Sequence, residues 1–337
     1  GRAGPSGPGT QSQADHASDP GLCRSLPDPA KSPLTGRMFQ SVNNAWDILW
    51  SAIRALGRYP RMLVPMLVCW AVYAPLVVYL KYQFPWDQFS LLERIGVSFI
   101  AILILSFAFP WSAVALLELI KQSETKTPRS QLKAWSVGTF NVLVALPIVV
   151  SWATLWLMIS VLEAIFSKAK GDEDAEMTAR NVAKTLAGFE EFSFTRAFFS
   201  TLKRGVSMTA FMMYPAIAWE RLGTLRSVKR GFGVMKAHKG VFVAGFALTG
   251  FATAIVFFPP ALLFAFSAKA EISLPDAVWF WTMIYCAFAW SFCLFLEQMF
   301  VAEFYLWHLI WERKVGEAEA AGTPPPRLED VHRPSVM

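Results

Sequence analysis

Six stretches without a charged side chain constrain this 337-residue chain more than any other feature. They cover residues 62–80, 95–117, 134–162, 205–219, 241–268 and 277–296. A helix rising about 1.5 Å per residue needs roughly 20 apolar residues to cross about 30 Å of hydrocarbon. Five of the runs reach that length, and 205–219 falls short. A bilayer offers no water to backbone amides, so runs of this kind are expected as helices. The fold expected is all-α: a polytopic membrane helical bundle of six transmembrane helices with basic amphipathic helices at the interface. The six spans are placed at about 62–80, 95–117, 134–162, 197–219, 241–268 and 277–300, within a membrane domain covering 38–314.

Composition agrees. Hydrophobic residues make up 54% of the chain and charged residues 17%, an apolar excess gathered into runs rather than spread over amphipathic surfaces. The formal charge of +6 lies beside those runs, which points to an anionic membrane surface and away from nucleic acid. Residues 1–37, rich in Gly, Pro, Ser and Asp, and residues 315–337, with three consecutive prolines, are expected as disordered tails. The first tail has neither the apolar core of a secretory signal nor the acid-free composition of a mitochondrial presequence. Cys69, Cys286 and Cys293 fall inside apolar runs and Cys23 in a tail, a distribution that predicts neither a disulfide nor a metal site. No cofactor is expected.

Two segments have the pattern of interfacial helices. In the first, Phe39, Val42, Trp46, Leu49, Trp50, Ile53 and Leu56 recur at helical spacing, with Arg54 and Arg58 on other faces. The second precedes the fifth run: Leu222, Leu225, Phe232 and Met235 oppose Arg226, Lys229 and Arg230. The five basic residues, Arg54, Arg58, Arg226, Lys229 and Arg230, are the candidate contacts with anionic lipid. Between the third and fourth runs, the acidic residues Asp172, Glu173 and Asp174 can begin a helix carrying Val182, Leu186 and Phe189.

Orientation rests on Lys and Arg beside the spans. With six crossings, 15 basic residues lie inside and 10 outside, and both termini are cytosolic. With 205–219 left out, a five-span chain with its N-terminus outside has 17 inside and 8 outside. Charge alone does not choose between them. Six is preferred because residues 194–199 can extend the short run while Lys203 and Arg204 snorkel.

Residues 220–231, reading ERLGTLRSVKRG, combine Glu220, Gly223, Ser227, Lys229, Arg230 and Gly231 directly ahead of an apolar run. This resembles the E-x-x-G-x-x-x-A/S-hydrophobic-K-R-S/G element of an uncharacterised, mainly bacterial family of six-helix integral membrane proteins. Residues 45–65, 113–119 and 304–307 are similar to that family as well, so the likeness spans roughly 38–312. The tail before Met38 and the acidic part of the third loop depart from it. The resemblance implies six spans and carries no activity.

Glu297 is the candidate intramembrane polar site. Trp279 and Trp281 are expected at one interface of the last helix and Tyr305, Trp307 and Trp311 at the other, which leaves Glu297 inside the membrane. Such a carboxylate can serve a proton or ion relay. It can equally pair with Arg221, Arg226 or Arg230 and pin the basic helix. Glu118, Glu220 and Glu303, near the cytosolic ends, suit a charge network with Lys121 and Arg221, and His308 suits interfacial anchoring. Prolines at 75, 110, 147, 215 and 259–260 can kink the spans. Gly245, Thr249 and Ala252 put small residues on one face of the fifth, as close packing requires. No catalytic motif or nucleotide fingerprint occurs. The sequence therefore favours a non-enzymatic structural, lipid-organising or assembly role, with a protein partner or second copy open. The alternative is a small-solute or lipid transporter using Glu297 and the proline-kinked helices.

Overall fold

The structure, a computed structural model, describes residues 34–124, 130–166, 177–188, 194–269 and 274–332. Within them the chain forms eleven α-helices and no strand: α1 (Leu34–Arg58), α2 (Val64–Val78), α3 (Leu91–Glu124), α4 (Gln131–Val144), α5 (Leu146–Phe166), α6 (Ala179–Ala187), α7 (Phe194–Phe211), α8 (Tyr214–Ala218), α9 (Thr224–Ala237), α10 (Lys239–Lys269) and α11 (Asp276–Ala320). Five helical stretches are long and apolar enough to cross a membrane: Pro60–Gln83, Leu91–Ser123, Leu146–Glu163, Lys239–Lys269 and Asp276–Ala320. They make the chain an integral membrane protein. Ile100, Ile104, Val243, Phe251, Ile255 and Phe258 stand exposed on the outer helices, a surface that suits hydrocarbon and not water.

The centre of the bundle is α11, which from Phe295 to Tyr305 is buried on every side. A helix apolar around its whole circumference needs neighbours all round. It packs against α1, α2, α6, α7 and α10. Gly245 on α10 lies under the Phe300 ring of α11, where a methyl group would overlap the ring. This is the close packing expected of the small-residue face of the fifth run. Cys69, Cys286 and Cys293 are free thiols packed among these helices.

Several expectations need correction. The third run is two helices: Ala145 ends α4, and Leu146 and Pro147 begin α5. A proline inside a continuous helix lacks the N–H for the carbonyl four residues back and its ring clashes with it, whereas in a first turn the missing N–H has no partner anyway. Pro215 likewise starts α8, so only Pro75, Pro110 and the pair Pro259 and Pro260 sit inside helices. The residues expected as the fourth span form α7, a turn at Met212 and Met213, and α8. The helix extends back to Phe194, and over its 18 residues it carries Arg196, Lys203 and Arg204, which leaves it less apolar than the five stretches above.

Residues 315–332 do not form a loose tail, and residues 333–337 lie outside the described residues. Helix α11 continues to Ala320, and the chain then folds back so that Trp311 Nε1 donates to the Pro326 carbonyl at 2.9 Å and Trp307 Nε1 to the Val331 carbonyl at 3.1 Å. Tyr305, Trp307 and Trp279 are buried against the rest of the protein, while Trp281 is exposed. Helix α6 carries Val182 and Leu186 as expected, but starts at Ala179, with the Thr178 hydroxyl accepting from the Asn181 amide at 3.2 Å. The acidic run 172–174, Phe189, Cys23 and the tail up to residue 33 lie outside the described residues.

Candidate functional site

Helix α7 runs antiparallel to α5. Phe199 stacks on Phe166 near one end of the pair, and Phe211 meets Trp152 further along. Lys203 and Arg204, about 100° apart around this helix, therefore reach two different neighbours. Lys203 Nζ lies 2.5 Å from Glu163 Oε2 on α5 and 4.6 Å above the Trp156 ring. Arg204 Nε donates to Glu297 Oε1 on α11 at 2.7 Å, and its Nη2 donates to Thr249 Oγ1 on α10 at 2.7 Å. The Thr249 hydroxyl donates to the Gly245 carbonyl at 2.9 Å, so it accepts from the guanidinium and donates to backbone at once. Phe246 lies 5.0 Å beneath the cation. A side chain at Gly250 would displace the guanidinium, so the small residues Gly245, Thr249 and Gly250 together make room for Phe300 and Arg204.

This overturns both earlier expectations for the partners. Glu297 does not meet Arg221, Arg226 or Arg230, and neither Lys203 nor Arg204 snorkels free of a carboxylate. Thr249 lies ten residues into α10, about 15 Å along the helix axis, which is about half a hydrocarbon thickness. At such a depth an unpaired charge costs several kcal/mol, so each member makes the other tolerable.

A second cluster lies at the end of the bundle. Arg230 on α9 makes a two-pronged contact with Glu312, Nη1 to Oε1 at 2.8 Å and Nη2 to Oε2 at 2.5 Å, and its Nε donates to Glu220 Oε1 at 3.2 Å. Tyr305 donates its hydroxyl to the same Glu220 oxygen. The Glu312 hydrogen bond, with Glu220 behind it, raises the Arg230 guanidinium above its ordinary range and keeps it charged. Arg230 thus joins α9 to α11 instead of facing lipid. Arg54, Arg58, Arg226 and Lys229 are exposed. Glu118 accepts from Gln122 at 3.4 Å, and Glu303 is buried on α11.

His308 is turned inward, with its Nδ1 3.0 Å from Nε2 of His238 and the Trp311 ring beside both. Burial, reinforced by His308, pushes His238 down to about 4 from its ordinary 6.5. The pair closes the α9–α10 corner against α11. Among the described residues, no group of three or more His, Cys, Asp or Glu side chains could hold a metal ion.

A groove of about 810 Å³ is walled by α5, α7, α9 and α10. Gly205, Val206 and Ala210 of α7 form part of its lining, with Phe246 of α10 between it and Arg204. Sequence reasoning missed the groove. The signal available was the row of small residues along α7, Gly205, Thr209 and Ala210, which keeps that helix recessed.

Compared with known proteins, the chain matches no family model, no curated protein and no solved structure.

Proposed function

We propose that this protein is a six-crossing membrane bundle with both termini on the cytosolic side and a non-enzymatic, lipid-organising role. The observation that carries the sixth crossing is the pairing of Lys203 and Arg204. With Glu163 and Glu297 as partners, α7 can traverse hydrocarbon despite its basic residues. Its antiparallel packing on α5 supports a return to the end from which α5 starts. The chain then travels out on α2, α5 and α10 and back on α3, α7 and α11.

The exposed cations Arg54, Arg58, Arg226 and Lys229 support the lipid-organising role, since each exposed basic residue near an anionic surface contributes about 1 kcal/mol of attraction. Reconstitution in mixed phosphatidylcholine and phosphatidylglycerol, followed by native mass spectrometry, tests this. Replacing all four cations by Ala should remove the excess of phosphatidylglycerol that leaves the membrane with the protein. Unchanged retention would sink the role.

A transport role for Glu297 remains the second reading, favoured by the groove that Phe246 separates from the Arg204 pair. Solute or lipid flux in vesicles that disappears with Glu297→Gln, in a variant that stays folded, would replace the first reading with this one.

A further inference from the structure

The groove on the α5–α7–α9–α10 side has a composition and a rim that together select one kind of occupant. Its wall is apolar, and the hydroxyls in it are mostly spent on backbone: Ser151 donates to the Pro147 carbonyl at 2.8 Å, Thr209 to Gly205 at 2.8 Å and Thr224 to Val144 at 2.7 Å. A polar solute would find few donors there, whereas a hydrocarbon chain loses nothing. Along α7 the lining runs from Phe198 to Ala210, a rise of about 18 Å, which exceeds the roughly 15 Å of one leaflet's hydrocarbon. At Gly205 a side chain would meet no atom within 4 Å, so the floor is open where an acyl chain would lie.

The rim is basic. Leu225 and Phe232 of α9 line the groove and are exposed. Lys229 and Lys236 follow them at i+4, which puts Lys229 beside Leu225 and Phe232 and not opposite them as the sequence pattern suggested, and both lysines are exposed. Residues 220–240 carry a net charge of +5, and Arg230 is the member already held by carboxylates. An apolar slot a leaflet deep, with two lysines at its rim, complements a molecule that has a hydrocarbon tail and a phosphate head.

We propose that the groove holds one anionic phospholipid of the bilayer, with an acyl chain along α7 between α5 and α10 and its phosphate on Lys229 and Lys236. This rests on the lipid-organising reading and names its tightest ligand. The lipid completes the wall that α7 leaves recessed.

The test uses the full chain in nanodiscs of phosphatidylcholine doped with a phosphatidylglycerol carrying a photoreactive diazirine near the acyl terminus. Labelled peptides should contain Val206 and Phe246 in preference to Ile100 and Ile104 on the outer face of α3. Gly205→Trp should abolish the groove labelling. Lys229→Gln with Lys236→Gln, both at exposed positions where the fold is undisturbed, should weaken it by roughly thirtyfold, and a phosphatidylcholine probe of equal chain length should label as weakly in the parent protein. Equal labelling of the groove and α3, groove labelling that survives Gly205→Trp, or crosslinks to a second copy of the chain in place of lipid would overturn the proposal. If the groove labelling fails while the fourfold Ala variant still loses phosphatidylglycerol, the groove assignment falls and the surface role stands.

Discussion

Arg204 and Arg230 each bind a carboxylate of α11, and the difference between them is where the charges sit. Arg204 reaches Glu297 and Thr249 among apolar helices, where Glu297 is 7% exposed. Arg230 reaches Glu312 at the bundle end, where the Glu312 side chain is 48% exposed and water can replace a lost partner. The same bond is therefore indispensable in one place and replaceable in the other. On the proposed six-crossing topology, charge pairing inside the membrane licenses α7 to cross, while charge pairing at the bundle end fastens a surface helix in place.

The largest effect should come from breaking the inner pair. Arg204→Met leaves Glu297 without its cation and should cost about 3–5 kcal/mol, seen as loss of folded protein in detergent thermal unfolding. Arg204→Met combined with Glu297→Leu should recover most of that loss. If the single substitution costs no more than Arg230→Met, the contrast between the two sites fails. Next, Gly245→Ala pushes against the Phe300 ring and should cost about 1–3 kcal/mol in the same assay, since α10 and α11 cannot separate without loosening the Arg204 site.

The outer cluster should respond less. Arg230→Ala should cost about 1 kcal/mol, shrinking with added salt, because its partners are partly solvated. The smallest effect should come from pH. His238 is held near 4 in the fold against 6.5 in the unfolded chain, so the unfolded state takes up the proton first. Its contribution is complete above pH 6.5 and is lost as pH falls from 6.5 towards 4. Unfolding temperatures measured across that window should fall by an amount worth about 1 kcal/mol, and His238→Gln should flatten the slope.

The apolar runs were legible because hydrocarbon demands length and composition, both of which can be read along a chain. Helix rotation cannot be read in that way. Glu297 stood out as a carboxylate in a span, yet its partner was misjudged because nothing in the sequence says that Arg204 of α7 and Thr249 of α10 turn towards it. Arg204 borders a short run, and snorkelling was the simpler expectation for a basic residue there. The break at Ala145 had a signal, since Pro147 cannot donate to the carbonyl four residues back and so suits a first turn, but an uncharged run from 134 to 162 hid it. The fold-back after Ala320 left no trace in composition, because it rests on two indole N–H groups meeting carbonyls of a proline-rich segment.

The central claim is that α7 crosses the membrane, which puts Gln40 and Glu319 on one side and Gln88, between α2 and α3, on the other. It is tested most directly with single cysteines at Gln40, Gln88 and Glu319, each in a Cys23→Ser background, exposed to a membrane-impermeant thiol reagent in sealed oriented vesicles. The account predicts that positions 40 and 319 are labelled from the same face and 88 from the opposite one. Labelling of positions 40 and 319 from opposite faces would contradict it.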